Sequence, residues 1–488
     1  MFVWMMAGLQ AFSAGQSPAP PNPPGQSSDQ SSGQSTDQST GQSTSGDSSR
    51  AAPAAALSGF AGMDAGGGAD DTSNTLPQIP ALLGGIGISP ALLSEMERSN
   101  YLRAGVNVGA TYDDNPLLLS GGAVGNASVS IFPNIKIDQT TSRMRWTLGY
   151  AGGLTVNQRF TNQDQGSHNV IFDSEFRLSP HVNLRIAENF SLTTGYFDSG
   201  EAVSDLSGPN ANLITPLATQ RSDSTLVETN YHFALNDLIG ASGSFYDSDF
   251  SNPGTQTQQL TNSQTVSGSA FWLHRLFGTD WGGISYRFDR LTFSLGGGET
   301  KVHSFLAVDT INISKRFTLT GFIGPQYSEN QGVVPPATLV TQSSAWSVAG
   351  GGEGSWKNRS TSVSGGYSRI ISDGGGLTGS VRAQTVHANF RRQLTSGWAT
   401  ALSASRGANE ELIGPPGSAS SINLTSAGIT MERNVGKSFG FRMGYSHDFQ
   451  QQFGVPVLTQ TSPLQTLDAS RNRFFVTFSY QWAKPLGM

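Results

Sequence analysis

The 488-residue chain has no cysteine, little charge and no long apolar run, and each absence removes a class of protein. Without cysteine there is no thiol nucleophile, no thiolate metal site, no disulfide scaffold and no cysteine to carry a lipid anchor. Asp, Glu, Lys and Arg make up 13% of residues, against about a quarter in ordinary soluble domains, which is a poor surface for a soluble globule. No stretch approaches the roughly 18 to 20 consecutive apolar residues that a membrane-crossing helix needs, so helical membrane proteins are excluded. A net charge of −6 argues against a nucleic-acid binder, whose phosphate contacts require a basic surface. What the chain does have is glycine, 59 residues, with 9% aromatics. Low charge, abundant glycine and moderate aromatic content without long apolar runs are the profile of a transmembrane β-barrel.

The chain divides by composition. Residues 1–14 read as the apolar core of a secretory signal, with Ala11-Phe12-Ser13 as its cleavage site. The positively charged leader is missing, which leaves open an upstream start codon or a segment that is not a signal. Residues 15–75 form a Gly-Gln-Ser/Thr-Asp-rich, Pro- and Ala-rich tail that buries too little apolar surface to offset its chain entropy, and it is expected to be disordered. Within 76–100, Ser89 as N-cap and Pro90 at the first helical position, before Ala91-Leu92-Leu93, predict one short helix. That helix acts as a tether to the first strand or folds into a barrel mouth. Residues 483–488 form a short C-terminal tail.

From Tyr101 to Trp482 the hydrophobic period is two. Leu102, Ala104, Val106, Val108, Ala110 and Tyr112 share one face, and Arg103, Gly105, Asn107, Gly109 and Thr111 the other, one suited to lipid and one to water. The same alternation recurs over 127–137 and 144–156, and then over about fifteen further segments between 168 and 482. The expectation is an all-β antiparallel transmembrane barrel of about 18 strands, sixteen being the alternative because faces are ambiguous around 239–250 and 301–313. Connections alternate between short ones, such as 179–181, 236–237 and 394–397, and long polar ones at 195–221, 249–262, 328–342, 407–420 and 449–470. This asymmetry belongs to barrels in the outer membrane of a two-membrane bacterium.

Tryptophan and tyrosine prefer the membrane interface, where an apolar ring and a polar N–H or O–H are both satisfied. Trp146, Trp272, Trp281, Trp356, Trp398, Tyr480 and Trp482 are read as a girdle at the short-turn end. Trp346 shares a face with Trp356 ten residues away, about 25 Å along the membrane normal, which matches the apolar band. The last strand sets Phe474, Val476, Phe478, Tyr480 and Trp482 on one face. It resembles the signal read by the barrel assembly machinery, apart from the six residues that follow Trp482.

The opening Val108-Gly109-Ala110-Thr111-Tyr112-Asp113-Asp114-Asn115-Pro116, with the turn Leu178-Ser179-Pro180-His181, resembles the outer-membrane β-barrel porin type 2 family over 101–482. The resemblance implies a barrel associated with exopolysaccharide production, with an export or diffusion role and no catalytic residue.

The chemistry available to a solute is the charge on lumen-facing positions. By alternation these are Arg103, Lys136, Arg143, Arg145, Arg177, Arg185, Arg287, Arg442 and Arg473, with Asp173, Glu175 and Asp289. The basic lean predicts passage of anionic solutes or anionic polysaccharide. The alternative is that these arginines pair with interior acids and stiffen the wall. The seven histidines have no metal-ligand spacing, and no cofactor, metal or nucleic-acid partner is expected. Ser426 and His447 on adjacent strands are the one conceivable hydrolase pair. Asp113-Asp114-Asn115 offers calcium-type oxygens without the rest of a ligand set, and Gly296-Gly297-Gly298-Glu299 lacks the Lys-Ser/Thr of a phosphate loop. The expected partners are outer-membrane lipid, the assembly machinery, and small solutes or polysaccharide. The function expected is a pore without covalent chemistry, with a plugged structural or adhesive barrel as the competing class.

Overall fold

A computed structural model of the chain describes residues 100–116, 123–159, 165–194, 219–251, 261–277, 280–294, 298–314, 316–333, 340–373, 380–412, 421–436, 438–455 and 465–486. The signal, tail and helix expectations, at 1–14, 15–75 and 76–99, lie outside the described residues.

Eighteen strands follow one another along the chain. They are β1 (Tyr101–Asp113), β2 (Asn126–Thr140), β3 (Met144–Asn157), β4 (Gln165–Arg177), β5 (Val182–Thr194), β6 (Thr219–Ala234), β7 (Asp237–Ser251), β8 (Ser263–Phe277) and β9 (Asp280–Phe293). They continue as β10 (Glu299–Ser314), β11 (Phe317–Val333), β12 (Val340–Lys357), β13 (Thr361–Ser372), β14 (Val381–Gln393), β15 (Trp398–Glu411), β16 (Ser421–Val435), β17 (Phe439–Val455) and β18 (Gln465–Pro485). Each pairs antiparallel with its neighbours in sequence, and β1 pairs with β18 from Tyr101↔Pro485 to Asp113↔Arg473. The ring is therefore closed, which leaves no exposed sheet edge at either end of the chain. Tyr101 and Pro485 lie at the short-turn end, and the C-terminal tail read from Ala483 is in fact ladder, with Ala483 and Lys484 opposite Arg103 and Leu102.

The alternation sorts side chains onto two faces. Leu148, Val227, Ile239, Ile284, Ile323, Val348, Leu402, Phe474 and Phe478 are exposed on the convex face, where only lipid can satisfy them. The opposite, concave face carries the buried polar and charged groups, among them Asp113, Glu228, Asp289, Asp448, Arg471 and Arg473. The two ambiguous segments resolve the same way, with Ile239 outward and Leu238 inward on β7, and Phe305 outward and Leu306 inward on β10.

Several strands rise further toward the long loops than the apolar alternation suggests. Val333 pairs with Val340, and Gln465 pairs with Val455, so much of 328–342 and 449–470 is ladder. These extensions are rich in Gln, Ser and Asn, and above the apolar band both faces meet water, which removes the period-two hydrophobic signal without removing the backbone hydrogen bonds.

One stretch of the wall departs from this regularity. The β12–β13 ladder runs from Lys357↔Ser362 to Gly350↔Arg369 and stops. Beyond it Ile370–Ser372 keep their pairing with β14, and β12 keeps its pairing with β11.

Candidate functional site

The candidate site is the concave face. On it, Arg145, Glu175, Arg185 and Glu228 stand directly opposite one another across β3, β4, β5 and β6. Opposite charges at opposed ladder positions attract at close Cβ distance, so this row stitches four strands together. Arg185 also donates through Nε to Asp173 at 3.1 Å, and Asn230 donates to Glu228 at 2.9 Å. Near the short-turn end, Asp138 receives Lys136 at 3.5 Å and Arg103 at 3.9 Å and accepts from the Thr147 hydroxyl at 2.7 Å. Arg287 pairs with Asp289 at 2.8 Å, and Glu432 bridges Arg391 and Arg442 at 2.9 and 2.8 Å.

The most deeply buried cluster ties the ring shut near the long-loop end. Asp448, 1% exposed, faces Arg471 at 3.0 Å and Arg473 at 2.9 Å, both almost fully buried, and accepts from the Ser426 hydroxyl at 2.6 Å. Arg471 also lies 3.9 Å from Asp113, while Asp114 accepts from the backbone and side-chain nitrogens of Asn472. Four strands, β16, β17, β18 and β1, meet here.

The lining charges inferred from alternation thus face inward as a set, with Arg177 beside them on β4 and Arg143 in the turn at the rim. Their basic lean does not persist. Asp113, Asp138, Glu228, Glu432 and Asp448 share the concave face, and Arg103, Arg391, Arg442, Arg471 and Arg473 pair with acids of this set. Arg471, Arg391 and these acids escaped the sequence reading although their parity matches residues it included; Arg471 is two positions from Arg473, and Glu432 lies opposite Arg442.

A second sector of the lining is apolar. Leu238, Phe271, Leu273, Trp281, Leu306, Val308, Phe322 and Ala349 form one buried cluster along β7–β12, with Ile370 of β13 packed against it. Trp281 therefore does not belong to the interfacial girdle. It opens the series Trp281, Gly283, Ser285, Arg287 and Asp289, which points inward, and is only 6% exposed; proximity to a short turn placed it at the interface, whereas strand parity sends it inside. The other aromatics do face outward. Trp272 donates to Asp237 at 3.2 Å, the Arg433 guanidinium stacks over Trp398, and Tyr480 and Trp482 are exposed beside Phe478. Trp146 and Trp356 share parity with exposed Leu148 and Val348, and Trp346, 68% exposed, packs on Tyr327 toward the long-loop end.

The strand faces remove the hydrolase pair. Ser426 points inward to Asp448, while His447 points outward and hydrogen-bonds Asn472 at 2.8 Å, so the two cannot share a substrate. Among the described residues no three His, Asp or Glu side chains gather as metal ligands. Asp113 is engaged by the backbone N–H of Asn115 and Asp114 by Asn472, and Glu299 is held by Arg290 and Lys301.

A closed ring of eighteen strands, an apolar convex belt with aromatic margins and a charged, hydrogen-bonded concave face define a transmembrane β-barrel of the outer-membrane class. No protein-family model matches the chain, and no curated protein matches it. Solved structures with a similar course include the ferric citrate transporter FecA in its unliganded form, with 8% identity over 79% of each chain and a TM-score of 0.42. Others are OpdK of Pseudomonas aeruginosa with vanillate, with 9% identity over 78% of this chain and 99% of that one at TM-score 0.40, and the siderophore receptor PirA of the same organism, with 9% identity over 83% and 85% at 0.39.

Proposed function

We propose that the protein is an outer-membrane pore for small solutes that performs no covalent chemistry. The observation that carries this reading is the closed ring of eighteen strands, a size at which barrels leave room for an aqueous channel, with an interior whose charges are arranged for water and ions. The Arg145–Glu175–Arg185–Glu228 row and the Arg391–Glu432–Arg442 bridge present alternating signs, which favours weak ion selectivity over a strongly anion-selective path. Membership of the outer-membrane β-barrel porin type 2 family, implied by residues 108–116, belongs to this proposal. Export of an anionic polysaccharide is its less favoured form, because Arg103, Lys136, Arg185, Arg287, Arg391, Arg442, Arg471 and Arg473 each lie beside an acid, which interrupts a basic track.

The test is single-channel conductance of the purified full chain in a planar bilayer. Steady conductance with a cation-to-anion permeability ratio near unity supports the reading. A folded barrel that stays silent overturns it and favours a plugged structural barrel, and strong anion selectivity would restore the polysaccharide form.

A further inference from the structure

We infer that the wall between β12 and β13 is a lateral passage through which uncharged, apolar solutes move between the lumen and the membrane. This goes beyond the aqueous pore proposed above.

The ladder here is both short and weak. Its five outermost pairs are Gly350↔Arg369, Gly351↔Ser368, Gly352↔Tyr367, Glu353↔Gly366 and Gly354↔Gly365, and each contains a glycine. Sheet stability comes largely from side-chain pairs across neighbouring strands, and a glycine in a pair removes one partner, so this seam has backbone hydrogen bonds and almost nothing else. Gly351 is required for packing, because a Cβ there would strike the Phe322 ring and the Tyr367 carbonyl. Gly350 and Gly354 have only ordinary contacts in that position, so sterics do not demand glycine at either.

The seam opens within the membrane. Trp346 marks the outer aromatic margin on β12, and the last ladder pair at Gly350 lies four residues below it, roughly 10 Å deeper along the normal at 3.3 Å per residue and a tilt near 40°. Beyond that pair, among the described residues, Ser347–Ala349 and Ile370–Ser372 have no ladder bond to one another. An open strand edge facing hydrocarbon costs several kcal/mol per unpaired group, and such backbone is tolerated only where it lines a cavity or meets water.

The end of β13 turns inward instead. Ile371 packs against Leu291, Phe293 and Val302 of β9 and β10. Ser263 of β8 donates to Asp373 at 3.0 Å, and Thr300 of β10 donates to Ser380 at 2.8 Å, all four groups buried. These contacts tie the end of β13 to β8–β10, while its ladder to β12 has already ended. The apolar sector of the lining runs to the same place, since Ala349 and Ile370, the residues flanking the gap, both belong to or pack on the Leu306–Phe322 cluster. Apolar packing that reaches the end of the ladder at hydrocarbon depth suits a solute that partitions into lipid, with Arg369 of the last ladder pair the one charged side chain of the five glycine-containing pairs besides Glu353.

The experiment uses the full chain expressed in bacterial outer membranes, whose lipopolysaccharide leaflet resists hydrophobic dyes, with N-phenylnaphthylamine as the probe of entry. Because the chain lacks cysteine, Ala349→Cys with Ile370→Cys introduces a single cysteine pair, one on each side of the gap. The oxidised pair, verified by gel shift, should reduce dye entry to that of cells without the protein, and a reductant should restore it. Undiminished entry through a fully bridged barrel overturns the inference. If that variant does not assemble or does not oxidise, Gly350→Val with Gly354→Val, at positions where an added Cβ meets only ordinary contacts, should slow entry, and an unchanged rate overturns the inference equally. Dye entry in a barrel without ionic conductance would refute the aqueous pore and leave the lateral passage standing.

Discussion

Replacing Asp448 with asparagine keeps the side-chain shape and removes the charge in closest contact with both Arg471 and Arg473. At separations of 3.0 and 2.9 Å, each contact corresponds to about 5 kcal/mol of Coulomb attraction at an effective dielectric of 20. Desolvation of the three groups offsets most of that, and the quantity a mutation measures is the cost of removing a buried partner from two buried cations, about 3–5 kcal/mol. Asp113 remains 3.9 Å from Arg471 and continues to compensate it in part, which puts the expectation at the lower end, about 3 kcal/mol. The Arg290–Glu299 pair provides the control. Its arginine is half exposed, so Glu299→Gln should cost no more than about 1 kcal/mol. Urea unfolding in lipid vesicles, followed by tryptophan fluorescence and by the mobility shift of folded barrels on gels, gives both values. If Asp448→Asn costs no more than Glu299→Gln, the buried cluster does not hold β17, β18 and β1 together.

The placement of the tryptophans makes two further predictions. Brominated lipid should quench a variant retaining only Trp346 and spare one retaining only Trp281; equal quenching would return Trp281 to the interface. Trp281→Ala should cost about 3–5 kcal/mol, as removal of a large buried ring does, whereas loss of Trp346 to lipid should cost much less in the same unfolding assay. For the lining charges, Arg442→Glu sets two acids opposite each other at the Glu432 position and should shift reversal potentials toward cation selectivity. A reversal potential that does not move would place Arg442 outside the conducting path.

Much of this architecture was legible in the residues. Alternation is a local property, and it set strand number, strand face and the inward direction of Arg145, Glu175, Arg185, Arg287, Asp289 and Arg473. What alternation does not encode is partnership. Glu175 and Arg185 are ten positions apart, but Arg185 and Glu228 are opposed only through a register set across 195–218, and Asp448 meets Arg471 through the register of β17 on β18. The error at Trp281 came from weighting residue type above parity. The inward turn of β13 had a faint local sign in Gly350-Gly351-Gly352 and Gly365-Gly366, yet nothing in those glycines announces that they face each other across one ladder.

The distribution of charge around the ring connects these observations. The inward ionic pairs concentrate on β14–β18 and β1–β6, while the concave face from β7 to β12 carries Leu238, Phe271, Leu273, Trp281, Leu306, Val308 and Phe322 with, among the described residues, the Arg287–Asp289 pair; Arg290, Glu299 and Lys301 lie on the opposite parity. A pore that served only ions would gain nothing from such an apolar arc, because apolar side chains offer a hydrated ion no ligand. A barrel that served only apolar solutes would have no use for rows of alternating charge. With both sectors in one ring, ions and water are expected to follow the charged arc, and solutes that shed water readily are expected to follow the apolar arc to the glycine seam where it ends. Substitutions should then separate the two routes: charge changes at Arg442 move reversal potentials and leave dye entry alone, whereas closure of the β12–β13 gap does the reverse.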